Sequence, residues 1–457
     1  MNPLPTLPSQ TERVAGLPRV AMVSLGCAKN EADAENMLGL LLAAGYPISQ
    51  STEQADLCIV NTCTFIQSAT DQSLDQLLAL SNAGKQLIVS GCMAERFQEE
   101  FLAEFPQVRA VLGTGDIESI VQAVHWATNH DGQRSFIGSA GRRGYIATHG
   151  TPRLRLASGV SAYVKLAEGC NHRCAFCIIP SLRGQLQSRS IEDIVAEVQA
   201  LASEGVQEVV LVSQDSTAYG VDRYRGQWRL ADLLRAIASD TDIPWVRLMY
   251  SYPGELSRAV LETIGQHESL LNYIDITLQH AHPDTLQRMK RPANPGQAIE
   301  LIREYLPAAV IRSTFIVGFP GETQAEFACL EEFIAEQQLD RVGVFTYSAE
   351  ETTPAALLPA QVAPEIKQDR QSRLLTRQAE ISARKNQALV GSQQIVLVER
   401  EVNGQLYGRS YRDAPEIDGQ VIIEQPAQQQ PNLIGELVPV TITGVAGTYD
   451  LQATVLS

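Results

Sequence analysis

The sequence contains no run of about 18 consecutive apolar residues, the length expected of a membrane-spanning helix. Its first residues, MNPLPTLPSQTER, lack the basic start and apolar stretch of a secretory signal, so we predict a mobile tail over residues 1–17. Both absences favour a cytoplasmic protein without a membrane partner. Because cysteines are kept reduced in that compartment, the eight in this chain call for an explanation other than disulfides.

Positive charge is also scarce. The 457 residues include 36 Lys and Arg against 52 Asp and Glu, which gives a formal net charge of −16. Proteins that bind nucleic acid gain much of their affinity from cationic contacts to phosphate, so this balance argues against nucleic acid as the direct substrate and favours a basic partner. Hydrophobic residues make up 44% of the chain, which is enough for a buried core and excludes general disorder.

The pattern of apolar residues divides the chain into three parts. Over residues 18–127, short apolar runs alternate with helix-like stretches, which predicts an N-terminal parallel α/β sandwich. A linker rich in Gly, Arg and Ser follows over 128–158. Over 159–387 the alternation resumes with at least six units, which indicates a full or partial (β/α) barrel. Short β-like runs punctuated by glycine over 388–457 favour a small C-terminal β-barrel.

Three cysteines lie close together in the segment LAEGCNHRCAFCIIP. Cys170, Cys174 and Cys177 follow the first strand of the predicted barrel, so they lie at the mouth where such barrels build active sites. Thiolates this close together form a soft-metal site. Because a closed zinc site needs four ligands and only His172 is nearby, an iron–sulfur cluster with one open iron fits better. A structural zinc ion completed by a remote residue is the alternative.

Three further cysteines occupy equivalent positions in the first domain. Cys27, Cys63 and Cys92 each come just after a predicted parallel strand, at the sheet edge where open α/β sheets bind ligands. Loops that are far apart in sequence converge at this edge, so three thiolates there can hold a second cluster. The alternative is that all three are buried, inert cysteines. Cys58, inside a strand, and Cys329, inside an amphipathic helix, are interpreted as core residues.

The first cysteine motif resembles the cluster loop of radical S-adenosylmethionine enzymes, including the aromatic Phe176 before the last cysteine. With the second trio of cysteines, the resemblance extends over nearly the whole chain to the methylthiotransferases. It implies a radical core, a C-terminal β-barrel of the TRAM type and two 4Fe–4S clusters, one on each cysteine trio. It also implies S-adenosylmethionine both as the source of a deoxyadenosyl radical and as the methyl donor.

Several segments resemble the branch of that family that modifies an aspartate of a ribosomal protein; they are SLGCAKNEADAE, VSQDSTAYG, YIDITLQHAHPDTLQRMKR, STFIVGFPGET and GVFTYSAEETTPAA. In the last of them stands Glu350, where the tRNA-modifying branch tends to carry arginine. The resemblance implies methylthiolation of the β-carbon of an aspartate in the small-subunit ribosomal protein S12, with external sulfur and electron donors. A tRNA methylthiotransferase and a non-enzymatic iron–sulfur scaffold or electron carrier are the alternatives.

The charge of the last segment agrees with a protein substrate. Residues 390–457 contain three arginines, no lysine and eight acidic residues, a net charge of −5. An RNA-binding barrel would need cationic contacts to phosphate, whereas an acidic barrel suits a basic ribosomal protein. The alternative is an acidic surface that merely faces solvent.

Residues at strand ends are weaker candidates. Gln214 ends the second barrel strand and Gly318 follows a later one, so both are predicted to contact the cofactor. Asp215, Gln279 and His280 lie at equivalent ends, but no role is assigned to the histidine. Glycine in the GFPGET turn either permits close approach to a ligand or serves the turn alone. Arg189 lies near the cluster loop, and two interpretations are open for it: a contact with the carboxylate of the cofactor, or a salt bridge at the surface.

Overall fold

A computed structural model describes residues 16–138, 145–156, 159–292, 294–424 and 433–456. Nearly all of the predicted tail over residues 1–17, and part of the predicted linker, lie outside these ranges. Among the described residues, no helix is both long and apolar enough to cross a membrane.

The first sheet has six parallel strands in the order β2-β1-β3-β4-β5-β6. Apolar side chains cover both of its faces, as expected of a parallel sheet enclosed by helices. In chain order the elements are β1 Val20–Ser24, α1 Ala28–Ala43, β2 Ile48–Ser49, β3 Leu57–Thr62, α2 Gln67–Asn82, β4 Gln86–Gly91, α3 Cys92–Arg96, α4 Gln98–Glu104, β5 Val108–Val111, a 3-10 turn Ile117–Ser119, α5 Ile120–Asn129 and β6 Arg134–Ser135.

The central sheet also has six parallel strands and stays open, so it is a partial barrel with the order β7-β10-β11-β12-β13-β14. The largest apolar cluster lies between this sheet and its helices. The elements are β7 Ser161–Lys165, β8 Ala167–Glu168, α6 Ile179–Arg183, β9 Gln187–Ser188, α7 Ile191–Ser203, β10 Glu208–Val212, α8 Leu230–Asp240, β11 Trp245–Ser251, α9 Arg258–Gln266, β12 Leu270–Gln279, α10 Pro283–Met289, α11 Pro295–Tyr305, β13 Val310–Val317, α12 Gln324–Gln337, β14 Arg341–Thr346, a 3-10 turn Pro354–Leu357 and α13 Pro364–Gln387.

The last five strands form a closed barrel in the order β15-β16-β17-β19-β18, with an apolar interior. They are β15 Gln393–Val402, β16 Gln405–Ser410, β17 Val421–Glu424, β18 Leu437–Ala446 and β19 Asp450–Val455. A buried ion-pair group joins this barrel to the central sheet, because Glu208 of β10 contacts both Arg247 and Arg409. The predicted fold class, an α/β sandwich, a partial barrel and a small β-barrel, is confirmed.

The main departure from the sequence concerns one helix, which the apolar pattern after β4 predicts to begin at Ala94. The structure divides it into α3 and α4, because Phe97 has a non-helical backbone conformation (φ −123°, ψ 35°). The first of these short helices begins at Cys92, two residues earlier than predicted. The domain boundaries at residues 17, 127, 158 and 387 stay predictions.

Candidate active site

The first predicted trio of cysteines lies in one loop at the mouth of the partial barrel. This loop leaves β8 and ends at α6, and the amide of Cys177 donates to the carbonyl of Cys174 at 3.2 Å. The thiols of Cys170, Cys174 and Cys177 are close enough to interact electrostatically with one another. His172, the nearest candidate for a fourth ligand, instead contacts a carboxylate oxygen of Asp215 through Nε2 at 2.6 Å.

Tyr252 and Arg291 also contact the loop that carries these three cysteines. The ring of His172 stacks on Tyr252, with centroids 3.8 Å apart. Arg291 lies over the same tyrosine, 4.0 Å from its centroid, and its Nη1 approaches the sulfur of Cys174 at 3.7 Å. The cluster loop is therefore held by side chains that follow β10, β11 and the helix α10.

The second predicted trio converges at the carboxyl edge of the first sheet. Cys27 precedes α1, Cys63 follows β3, and Cys92 begins α3. Electrostatic interactions link the thiol of Cys92 to those of Cys27 and Cys63 and link those two to each other. Gly26 is packed so closely on Cys63 that an added Cβ would lie 2.6 Å from the Cβ of that cysteine. The structure thus brings the three side chains together.

The two trios face each other across α6. Cys92 packs on Ile178 and Leu182. Ile178 directly follows Cys177 in the chain, and Leu182 lies in α6. At the other end of this helix, the buried guanidinium of Arg183 interacts with all three thiols of the second trio. Arg183 also donates to Asn30 Oδ1 at 2.6 Å and to Glu168 Oε1 at 2.9 Å. One short helix therefore connects the two groups of cysteines.

Thiol pKa values distinguish Cys27 from its neighbours. Burial raises its pKa, but the nearby cations Lys29 and Arg183 outweigh that effect, and the net pKa is lowered. Burial raises the pKa of Cys92 and of Cys170 to about 11, and that of Cys177 to about 12. Metal binding requires thiolates, so loading these sites with a cluster releases protons from the buried thiols.

The strand ends next to the cluster loop carry polar atoms without a partner. Gln214 Oε1, Ser251 Oγ and Gln279 Oε1 are buried, and none has a hydrogen-bond partner among the described residues. They follow or end β10, β11 and β12, so they share one rim. Buried polar atoms nearly always have a hydrogen-bond partner. Three unpartnered oxygens in one place therefore fit a polar ligand such as S-adenosylmethionine.

The remaining candidates from the sequence lie around this rim. The ring of Phe176 packs edge-on against Phe319, with centroids 6.5 Å apart, so the cluster loop meets the GFPGET turn. Gly318 in that turn has a φ of +71°, and a Cβ there would lie 2.3 Å from the side chain of Lys367. Gly318 is thus explained by backbone conformation and packing, and its predicted contact with the cofactor stays a prediction.

Of the two interpretations of Arg189, the salt bridge is confirmed, but its predicted location at the surface was wrong. The side chain is buried and pairs with Asp193 at 2.6 Å and Glu197 at 2.5 Å, so it forms an internal ion pair, neither at the surface nor free for a cofactor. Cys58 is fully buried, as expected of a core residue. Cys329, by contrast, is only partly buried on its helix.

Sequence reasoning missed the residues that join the first domain to the barrel. Arg96 of α3 pairs with Glu350, which follows β14, at 2.5 Å, and both side chains are largely buried. Arg183, in the helix after the cluster motif, is another. Neither has a local signal in the sequence, because the partners are 254 residues apart in the first case and 153 in the second.

Three family models match the chain. Residues 19–113 match uncharacterized protein family UPF0004, residues 164–334 match the radical SAM superfamily, and residues 390–456 match the TRAM domain. Ribosomal protein uS12 methylthiotransferase RimO of Microcystis aeruginosa is 48% identical over 445 residues, covering 96% of this chain and 99% of that protein. The proteins of the same name from Gloeothece citriformis and Acaryochloris marina are 47% and 46% identical, over 96% and 97% of this chain and 99% and 100% of theirs.

This chain belongs to the uS12 methylthiotransferase family. The predicted family and the enzyme class, a radical S-adenosylmethionine methylthiotransferase, are confirmed. The family brings with it S-adenosylmethionine and 4Fe–4S clusters as cofactors. A solved structure agrees on the fold: the radical S-adenosylmethionine methyltransferase TsrM of Kitasatospora setae, with cobalamin and a 4Fe–4S cluster bound, superposes with a TM-score of 0.53 at 14% identity, over 75% of this chain and 77% of that one.

Proposed function

We propose that this chain inserts a methylthio group at the β-carbon of an aspartyl residue in ribosomal protein uS12. Membership of the family supports the reaction and the substrate. The observation that carries the mechanism is the pair of cysteine trios on either side of α6. One trio with an open iron suits S-adenosylmethionine, and the other suits sulfur delivery, so two cysteine trios next to one short helix match a reaction with two partial steps.

Cys170, Cys174 and Cys177 would hold the cluster that S-adenosylmethionine meets, and Cys27, Cys63 and Cys92 would hold the auxiliary cluster. When bound, S-adenosylmethionine would supply the deoxyadenosyl radical and the methyl group, and the clusters would pass on electrons and sulfur that come from external donors. An aspartate β C–H is too weak an acid for a side-chain base, so the protein's own task is to bind, orient and exclude water. Gln214 and the strand-end atoms around it would contact the cofactor.

Charge supports a protein substrate. The C-terminal barrel has only three arginines, and each is engaged: Arg400 with Gln420, Arg409 with Glu208, and Arg412 with Asp340. Little cationic surface is therefore left on this barrel for phosphate, whereas its acidic side chains suit a basic ribosomal protein. Nucleic acid is thus not proposed as the direct substrate.

The sulfur and the electrons come from external donors in this proposal. The chain has eight cysteines, and six of them are assigned to clusters, so repeated insertion of sulfur requires replenishment from outside. A ribosomal protein substrate also places the reaction in the cytoplasm.

The test incubates anaerobically reconstituted protein with S-adenosylmethionine, a reductant, a sulfur source and either purified uS12 or tRNA. Mass spectrometry should show one methylthio group on the aspartate, and Cys174→Ala should abolish both this product and 5′-deoxyadenosine. A uS12 variant with asparagine at that position is the substrate control. A methylthio group that appears on tRNA and never on uS12 would refute the proposal, and protein without 5′-deoxyadenosine formation would indicate an iron–sulfur carrier.

A further inference from the structure

A buried lysine of the first domain reaches the mouth of the barrel. Lys29 lies in the first turn of α1, two residues after Cys27, and is 8% exposed. Its Nζ donates to the carbonyl oxygen of Ser213, just after β10, at 3.3 Å. It also lies 3.5 Å from the ring centroid of Tyr250, near the end of β11. Lys29 therefore spans the space between the auxiliary cysteines and the strand ends.

No carboxylate of the described residues forms an ion pair with Lys29, although acidic groups are near. Glu168 and Asp33 are both engaged with the buried cations Lys165 and Arg183. Asp275, on the next strand, pairs with Arg312 at 2.8 Å. Buried charges are usually paired, because removing an ammonium group from water without a counterion is costly. The neighbouring buried cations obey this rule with carboxylates, whereas Lys29 has no carboxylate partner and interacts electrostatically with the thiol of Cys27.

The tyrosine below this lysine has an unusual backbone. Tyr250 has a φ of +62°, in the left-handed region that non-glycine residues seldom adopt. Its amide donates to Asp275 Oδ2 at 3.0 Å, which holds this conformation and keeps the ring under the ammonium group. Residues with a strained backbone that the surrounding structure holds in place are found most often at ligand-binding sites. This observation is independent of the missing carboxylate partner, and it concerns the same place.

We infer that Lys29 binds the side-chain carboxylate of the substrate aspartate. The inference rests on the proposed function and adds the residue that recognises its acidic target. The β-carbon of an aspartate is bonded directly to its carboxyl carbon, so a salt bridge to Nζ also fixes the C–H bond that reacts. Lys29 lies between the auxiliary cysteines and the strand-end rim, so the β-carbon would be held between the two cluster sites.

The test measures binding of uS12 to the reconstituted holoenzyme with S-adenosylmethionine and without reductant, so that no turnover occurs. Wild-type enzyme should bind native uS12 about tenfold or more tightly than the Asp→Asn variant of uS12, because a charge-assisted contact is lost. Lys29→Gln should bind both forms equally, and Lys29→Arg should keep part of the preference. Lys290→Gln, a change at an exposed lysine just after α10, is the matched control and should behave as wild type.

Two results would overturn the inference. One is a Lys29→Gln enzyme that keeps the preference for aspartate over asparagine. The other is a Lys29→Gln enzyme whose iron falls from about eight to about four per chain, because Lys29 would then serve the charge of the auxiliary cluster. Failure of the proposed function has a different signature, since wild-type enzyme would then leave native uS12 unmodified under turnover conditions.

Discussion

At the scale of single residues, one guanidinium organises the space between the two cysteine trios. Arg183 is buried, donates to Asn30, Asp33 and Glu168, and interacts electrostatically with all three thiols of the second trio. A cluster on three thiolates adds negative charge to a buried site, so a fixed cation beside it stabilises the loaded form. Arg183 belongs to the barrel, whereas the thiols belong to the first domain.

Arg183→Met should therefore lose the auxiliary cluster and keep the other one. Iron after reconstitution should fall from about eight to about four per chain, while 5′-deoxyadenosine formation persists. Arg235→Met is the matched control, because that arginine forms an exposed pair with Asp232. Full iron content in a folded Arg183→Met protein would contradict this role.

A glycine beside Cys27 offers a second test at this scale. Gly26 has a φ of +96°, and an alanine Cβ would lie 2.9 Å from the sulfur of Cys63. Gly26→Ala should therefore displace Cys63 and reduce auxiliary iron. Gly84→Ala separates strain from collision, because Gly84 also has a positive φ (+71°) but no atom within 4 Å of the added Cβ. Equal iron loss in the two variants would show that the contact with Cys63 is irrelevant.

At the scale of elements, α3 connects the first sheet to the end of the barrel. Arg96 in α3 pairs with Glu350, whose other oxygen accepts from Ser348 at 2.8 Å. Removing one partner of a largely buried pair leaves the other charge uncompensated, which is strongly destabilising. An exposed pair of similar geometry contributes little, because water and salt screen it.

Arg96→Ala should accordingly lower the free energy of unfolding by about 3 kcal/mol. Arg373→Ala, which removes a more exposed pair with Glu331, should change it by less than about 1 kcal/mol. Urea unfolding of both variants under the same conditions makes the comparison. Equal effects would mean that the Arg96–Glu350 pair adds nothing beyond a surface contact.

The sequence predicted most elements, because apolar runs and helical periodicity are local signals. The long polar stretch over 364–386, for example, predicts one helix, and α13 spans Pro364–Gln387. The positions of Cys27, Cys63 and Cys92 were predictable as well, since parallel strands end at one edge. The contact of Lys29 with Ser213 was not, because 184 residues separate them and no pattern in either segment indicates the other.

At the scale of the whole molecule, buried charges attach the C-terminal barrel to the radical core. Glu208 is fully buried between Arg247 and Arg409. Burial raises its pKa, but the two arginines outweigh that effect, so the net pKa lies below the ordinary value. Its stabilising contribution is therefore complete above the unfolded pKa of about 4.3 and is lost as pH falls through the lower, folded value.

Glu208→Gln should destabilise the protein at neutral pH, because two buried guanidinium groups lose their shared carboxylate. The difference in melting temperature between wild type and variant should be largest near pH 7 and should shrink as pH falls below about 4.3. Thermal unfolding across this range provides the measurement. A difference that stays constant down to pH 3 would exclude an ionised Glu208 as the cause.

The central claim is that Cys27, Cys63 and Cys92 share one auxiliary cluster that the insertion of sulfur requires. The most direct measurement is iron and product analysis of the Cys27→Ala/Cys63→Ala/Cys92→Ala protein beside wild type after identical anaerobic reconstitution. A shared auxiliary cluster predicts about eight irons for wild type and about four for the variant, which should still form 5′-deoxyadenosine but leave uS12 without a methylthio group. A variant that retains about eight irons, or that still methylthiolates uS12, would contradict it.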